Sequence, residues 1–491
     1  MARAVPGGQL RPVLPDTTEG PTEPASGDSL YPRHATRPAT SSAGRLVLNG
    51  ETGSLVAHAT VGSVAAEGPG PLPTGQLPPS IGAAFDALDR AGGAWALLRG
   101  EAELSTAGGE TDLLVAPEAI TAIERELAAA GFAAVQSRGR GSHRFFHGYD
   151  PEADRWTKLD LVSRLEFGRF QQFSTDLAEG CLDRRDPTAR PARLAPDDAF
   201  WTFLLHAVLD RPGPRPADLG RLRDLAAGAR QEGPAAVAIA PFLPPGWTPD
   251  RVIDAAADPG DGARLSGLGR RLDRSWSLRR LPTVTARLVA HRVIRRLAPL
   301  LPLAGGRGLS VALLGPDGAG KSTLSAGLDG ALPLPVRRIY LGLYGRGTTQ
   351  GTKGAGGRFG LPGRLAWLWR RSLVAGWQRG RGRIVVFDRH VLDLAVAAPG
   401  GGRKARFRRS VLVRACPTPD LSVILDVPGD ELFRRKGEHD PDSLERQRAR
   451  YRDLAGRLRH AALIDAAADA ETVRRRVIAA IWAAYGARQH G

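Results

Sequence analysis

The chain has 491 residues, 42% hydrophobic and 24% charged, enough to bury sizeable cores and, at roughly 100–200 residues per domain, to fold as two or three domains rather than one small module. Its 60 Gly and 38 Pro, concentrated toward the amino end, point to an unstructured arm on globular domains rather than a fibrous repeat, and two distant cysteines, Cys181 and Cys416, exclude a disulfide framework or Cys-rich zinc site and suit a reducing compartment. The 68 basic and 51 acidic residues leave a net charge of +17, nearly all from Arg, which fits nucleic acid, an acidic membrane surface or phosphorylated small molecules as partners, or a charge spread over every face.

Residues 1–78 mix Pro, Gly, Ser and Thr without a sustained period and are expected to be a disordered tail. The amino terminus lacks an apolar signal segment and no run of 18 apolar residues occurs, so a cytoplasmic location without membrane association is expected. A first domain, 79–195, opens with Ala84, Phe85 and Leu88 at helical spacing and the apolar run Trp95–Leu98. It continues with a strand at Leu113–Val115, a helix around Ile120–Ala130 closed by Gly131, and strands near Arg144–His147 and Leu159–Val162.

Within this domain Glu110 and Asp112 stand two apart, so a strand directs both carboxylates to one side, and Asp160 on a neighbouring strand would complete a three-acid cluster able to hold magnesium. With Gly108-Gly109 before the strand, the segment from about 82 to 170 resembles the DNA-polymerase-β-like nucleotidyltransferases. That resemblance implies an α+β fold that either retains catalysis or persists as a binding module. The first acid is Glu where that family usually has Asp, and the family's Gly pair is displaced. His143 and His147, with Phe145-Phe146 between them, are expected to flank a sheet face rather than bind metal.

Residues 196–304 read as a helical connecting segment with apolar faces such as Phe200, Phe203, Leu204 and Ala207, broken at Pro212, Pro214, Pro216 and Pro244-Pro245-Gly246. Val284–Leu303 sets Arg287, His291, Arg292, Arg295 and Arg296 among apolar residues; a membrane-surface helix fits, but packing on a neighbouring domain is expected.

A last domain, 305–491, begins with the buried-strand run Leu309–Leu314, followed by Gly315-Pro316-Asp317-Gly318-Ala319-Gly320-Lys321-Ser322-Thr323 and a helix-compatible segment. This is a P-loop in its strand, loop, helix setting: glycines let successive N–H groups converge on an anion, Lys321 reaches the β and γ phosphates, and Ser322 can ligate magnesium. A second strand runs through Ile384–Phe387 into Asp388, where a magnesium-organising carboxylate belongs, and Arg389 is placed to hold an anionic acceptor. The stretch before it carries Trp367, Trp369 and Trp377 among arginines; base stacking is one reading and a packed amphipathic helix the expected one. The Gly354–Gly360 run and Gly400–Arg409 read as solvated loops. A third strand, Leu421–Val427, leads to Arg434, Arg435 and a charged helix bearing Arg446, Arg448, Arg450 and Tyr451, of the kind that closes over a transferred phosphoryl group.

These elements, ending in Leu463-Ile464-Asp465-Ala466 before Val473, resemble a thymidylate-kinase-like P-loop kinase over about residues 305–489. The resemblance implies an α/β fold with a parallel sheet flanked by helices, magnesium-ATP as donor, Asp317 near the acceptor, Asp388-Arg389 as the family's Asp-Arg motif, and Arg434 or Arg435 in the lid. The family's Arg-Glu-Pro-Gly acceptor segment has no match where Arg337-Arg338 to Arg346 stand, so thymidylate is not the expected acceptor.

The leading expectation is therefore ATP- and magnesium-dependent phosphoryl transfer to a small anionic acceptor, a nucleoside monophosphate or sugar phosphate, with no specific nucleic acid or membrane partner and a homodimer allowed. The alternatives are a nucleotidyltransferase with a regulatory P-loop domain, and an ATP-dependent nucleic-acid-binding protein.

Overall fold

The computed structural model describes residues 77–101, 104, 109–135, 141–258, 260–297, 308–341, 360–396, 402–437 and 440–490. The expected tail up to residue 76, Gly108, Arg346 and residues 354–359 lie outside them.

A first, mixed sheet is built from β1 (Trp95–Arg99), β2 (Glu110–Val115), β3 (Ala133–Val135), β4 (His143–Asp150) and β5 (Arg155–Val162), in the order β1-β2-β5-β4-β3. Only β2 and β5 run parallel; the other neighbours are antiparallel. Helices α1 (Pro79–Arg90) and α2 (Ile120–Ala129) supply apolar faces from Ile81, Phe85, Leu88, Ile123 and Leu127, the i, i+4 stripe that a half-buried helix needs. Gly131, at φ +85°, ends α2 in the left-handed conformation that favours Gly, and β3 follows.

A short hairpin, β6 (Glu166–Phe167) with β7 (Phe173–Ser174), precedes α3 (Leu177–Asp183), α4 (Pro196–Leu209), α5 (Pro216–Ala226), α6 (Pro234–Ile239), α7 (Pro249–Ala257), α8 (Gly262–Arg279) and α9 (Leu281–Leu297). Helices α4 to α7 each have Pro in the first turn, where its missing N–H costs nothing. These helices do not form a core of their own: one continuous set of buried side chains runs from Ile81 to Val284, with Trp201 and Trp276 at its centre.

The second sheet is β8 (Leu309–Leu314), β9 (Val336–Ile339), β10 (Ile384–Asp388), β11 (Leu421–Asp426) and β12 (Ala461–Asp465), wholly parallel in the order β12-β11-β8-β10-β9. Strands β8, β10 and β11 are buried along their length, as a sheet covered on both faces requires. Helices α10 (Lys321–Gly327), α11 (Gly360–Gly380), α12 (Asp393–Val396), α13 (Arg403–Ala415), α14 (Gly429–Lys436), α15 (Pro441–Arg457) and α16 (Ala470–His490) flank it. Asp420 fastens the entry of β11: its carboxylate accepts from the Ser310 N–H and hydroxyl (2.8 and 2.7 Å), from Arg379 of α11 (3.1 Å) and from Arg488 of α16 (2.6 Å). The whole is an α/β fold with one mixed and one parallel sheet.

The two sheets share α16. Trp482 packs on Trp156 with ring centroids 4.9 Å apart and donates its indole N–H to the His147 carbonyl (3.0 Å), while Arg475 reaches the Glu152 carbonyl (2.9 Å).

Two expectations are corrected and a third holds. Residues from Arg403 to Arg409, read as loop, are the first turns of α13, because Arg, Lys and Ala are strong helix formers and the glycines merely precede them. The stretch with the three tryptophans is, as expected, a packed amphipathic helix, α11: Leu368 and Ala375 are buried and Trp367 packs inward beneath Arg371, while Trp369 and Trp377 on its other side are 61% and 48% exposed. Helix α9 packs its apolar residues Val284 and Leu288 on the core and adds contacts from Arg287 to Glu166 and from Arg292 to Phe170, but its outer face is not packed on a neighbour among the described residues, outside which 298–303 lie.

Candidate functional site

The loop Gly315–Gly320 leaves the carboxyl end of β8, and α10 begins at Lys321. Gly315 (φ +146°), Gly318 (φ +91°) and Gly320 (φ +86°) adopt conformations that other residues rarely take, and a Cβ on Gly315 would stand 3.0 Å from the Leu425 carbonyl. The sequence folds this way because the third glycine turns the chain sharply into the helix. Lys321 is buried and folds back over the loop, donating to the Gly315 and Pro316 carbonyls at 2.6 and 2.7 Å. Burial pushes its ammonium below the ordinary value, against the pull of the Asp393, Asp317 and Asp388 carboxylates. Ser322 and Thr323 are exposed in the first turn of α10.

Strand β10 lies beside β8 in parallel register, Asp388 opposite Leu313, so Asp388 ends its strand next to the loop and is buried. Arg389 follows at φ +70°, a strained conformation for a side-chain-bearing residue, held by the Leu341 N–H donating to its carbonyl (3.2 Å). The turn directs the guanidinium to the Asp317 carboxylate (2.9 Å). Burial pushes Asp317 up, but Lys321, at 3.8 Å, with Arg389 and Lys436, holds its carboxyl below the ordinary range. The structure thus brings Asp317, Lys321, Asp388 and Arg389 together.

Sequence reasoning missed Asp393 and undervalued Tyr451. Asp393 opens α12, takes a hydrogen bond from the Tyr451 hydroxyl (2.9 Å) and acts on Lys321; burial raises its carboxyl, opposed first by Lys321. The only sequence signal was an acid five residues after Asp388.

Among the arginines beyond β11, Arg434 and Arg435 both pair with Glu431 of their own helix α14, Arg435 at 2.9 Å, and Arg435 also reaches the Ala466 carbonyl (3.2 Å). Their neighbour Lys436 covers the loop: a Cβ on Gly318 would lie 3.6 Å from it. Arg448 and Arg452 of α15 both grip Asp426 at the end of β11, at 2.7 and 2.9 Å and at 3.1 and 2.6 Å, and hold its carboxyl at about 2. These two arginines anchor α15 to the sheet.

In the first sheet, register places Glu110 opposite Lys158 and Asp112 opposite Asp160. One oxygen from each of Glu110, Asp112 and Asp160 lies within 4.8 Å of the others, so the three acids do converge. Each also has a side-chain partner: the Lys158 ammonium on Glu110 (2.7 Å), the Arg99 guanidinium on Asp112 (2.7 Å), and the His143 ring, through Nδ1, on Asp160 (2.7 Å). The second oxygens of Asp112 and Asp160 are buried without a hydrogen-bond partner. His143 and His147 sit on β4 as expected; burial holds the His147 ring near 3, well below its ordinary value. Cys181 and Cys416 are both free and buried. Among the described residues no helix is long and apolar enough to cross a membrane.

No family model matches the chain. It is 33% identical over 202 residues to the thymidylate kinase of Xanthomonas campestris pv. campestris (strain B100), covering 37% of this chain and 86% of that protein. The thymidylate kinase of Xanthomonas oryzae pv. oryzae (strain PXO99A) is 32% identical over 202 residues, covering 38% of this chain and 87% of that one. A solved thymidylate kinase structure from Candida albicans, 17% identical with a TM-score of 0.25, covers 32% of this chain and 84% of its own. The two sequence relatives point to kinase-like phosphoryl transfer in general terms. Over the matched part of its length, and distantly, this chain belongs to the thymidylate kinase family.

Proposed function

We propose that residues 305–491 form a P-loop kinase domain that transfers a phosphoryl group from ATP, with magnesium, to a small anionic acceptor of the nucleoside monophosphate or sugar phosphate class. The observation that carries this reading is the placement, on neighbouring parallel strands, of the Gly315–Thr323 loop with its buried Lys321 beside Asp388 and Arg389. The donor set suits the cofactor: converging loop amides and an ammonium for polyphosphate, and the Ser322 hydroxyl with the Asp388 carboxylate, hard oxygen donors, for magnesium. Bound magnesium would neutralise phosphate charge and orient the donor.

The chain's own residues do the rest. Lys321 supplies positive charge where negative charge gathers on the transferred group, and its carbonyl partners, Gly315 and Pro316, pre-position it. The Arg389 fork is aimed by its strained backbone at the side of the loop where an acceptor phosphate would compete with Asp317 for it. Lys436 of α14 lies beside the loop, and Arg434 and Arg435 on the same helix, paired with Glu431, would serve as a cover by turning toward the transferred group. The test is product analysis with magnesium-ATP and a panel of nucleoside monophosphates, sugar phosphates and neutral sugars. ADP and a phosphorylated anionic acceptor support the reading. Pyrophosphate as the main product, or hydrolysis stimulated only by DNA, would replace it with nucleotidyl transfer or nucleic-acid binding.

A second reading applies to residues 79–195, joined to the kinase domain through the helical segment 196–304. The two unpartnered buried oxygens of Asp112 and Asp160, beside Glu110, favour a magnesium site of nucleotidyltransferase type there. Arg99 and Lys158 already offset the charge of Asp112 and Glu110, and the His143 ring occupies one oxygen of Asp160, which suits a binding module better than a strong two-metal centre.

A further inference from the structure

Among the described residues, helix α9 turns an apolar face outward. Val284 and Leu288 fasten it to the core, and half a turn round the helix from them stand Val289, Val293 and Leu297 at i, i+4 and i+8, with Ile294 beside them. These four are 54%, 48%, 45% and 43% exposed, and Leu281 at the start of the helix is 55% exposed. A soluble helix ordinarily turns its polar face outward; α9 does the reverse.

Along the sequence, the charge of α9 and of the segments on either side of it is of one sign. From Arg274 to Pro316 the sequence contains no Asp or Glu, while Arg274, Arg279, Arg280, Arg287, Arg292, Arg295 and Arg296 all fall between Arg274 and the end of α9. Arg287 bonds Glu166 (3.1 Å) and Arg292 lies over the Phe170 ring (5.3 Å), which fixes the helix and its flanks. Arg296 is exposed one turn from the apolar stripe.

From this charge complementarity we propose that α9 is an interfacial helix that seats its Val289–Val293–Leu297 face in the surface of an anionic lipid bilayer, with the exposed Arg296 beside that face pairing with the headgroups. An apolar stripe flanked by arginine on a helix too polar to cross a membrane is the pattern such a surface selects. A second copy fits poorly, because a two-fold contact through this face would set its arginines against the same arginines of the other copy. Single-stranded nucleic acid fits poorly too, since α9 carries no Phe, Tyr or Trp on which a base could stack.

The experiment is co-sedimentation of the full chain with vesicles of phosphatidylcholine alone and of phosphatidylcholine with phosphatidylglycerol, at physiological salt. The variants are Val293→Ser with Leu297→Ser, and Arg296→Gln. Because these side chains are exposed, circular dichroism and melting should match the wild type. The expected result is binding to anionic vesicles only, weakened about tenfold or more by the double serine variant and about fivefold by Arg296→Gln. Three results would overturn the proposal: no binding to anionic vesicles, binding that the serine variant leaves unchanged and that therefore comes from net charge alone, or a solution dimer that the serine variant dissolves while vesicles remain unbound.

Discussion

Replacing Asp426 with Asn removes the acceptor that holds α15 to the end of β11. In the wild type its carboxylate takes hydrogen bonds from Arg448 at 2.7 and 2.9 Å and from Arg452 at 3.1 and 2.6 Å, and it is 8% exposed. These bonds, those from Arg448 foremost, lower its carboxyl from 3.8 to about 2. At about 1.4 kcal/mol per pH unit this corresponds to about 2.5 kcal/mol, and solvent around the half-exposed Arg452 side chain reduces it to about 2 kcal/mol. Asn keeps one carbonyl oxygen and turns an amide toward two guanidiniums, so a loss of about 2 kcal/mol is the lower bound. The folded carboxyl is depressed, so its stabilisation is present above pH 3.8 and is lost as pH falls toward 2. Hydrogen exchange of the Pro441–Arg457 amides reads the effect locally, where a global melt of so large a chain would not. Exchange should be about 30-fold faster in Asp426→Asn at pH 7, and the difference in stability between the two proteins should shrink as pH is lowered from 4 to 2. Equal exchange at pH 7, or a stability gap constant down to pH 2, would refute the assignment of Arg448 and Arg452 as anchors.

Arg389→Lys should raise the acceptor KM or lower kcat about tenfold or more while changing ATP affinity little, because Lys cannot reproduce the planar fork; steady-state kinetics with each substrate varied decides it. Burial holds the His147 and His390 rings near 3 and 4, so NMR should find neither titrating between pH 5 and 8. Because the unfolded chain takes up those protons near 6.5, stability should fall by about 1.6 kcal/mol per histidine as pH drops from 6.5 to 5; a denaturant series checks this, and flat stability would contradict it. Asp160→Asn and Asp112→Asn should each abolish manganese binding at the first sheet, read by titration calorimetry, without altering the ATP turnover that Lys321 supports.

The sequence made some of this legible and hid the rest for physical reasons. The loop Gly315–Thr323 could be read because its chemistry is local: the glycines, Lys321 and Ser322 are contiguous, and the apolar runs before and after it mark the strand and helix. Asp388 was legible because β10 ends on it. Asp393 was not, since its meaning comes from Tyr451, which the fold brings across from α15, and from burial that spacing does not reveal. The acids Glu110, Asp112 and Asp160 were found by strand periodicity, whereas their partners Lys158, Arg99 and His143 depend on a register that only the paired strands establish. Amphipathicity located α9 and α11 without saying which of their apolar faces would find a partner; that is decided by the packing of α8 and β10 against them.

The account's central claim is that Lys321 and its loop serve phosphoryl transfer to an anionic acceptor, and the most direct measurement is ADP formation by wild type and Lys321→Ala with magnesium-ATP, with and without that acceptor. The account predicts acceptor-dependent ADP and a phosphorylated acceptor from the wild type, and a loss of about a hundredfold or more in Lys321→Ala, with circular dichroism and melting close to wild type. Wild-type turnover in Lys321→Ala, or pyrophosphate in place of ADP, would contradict it.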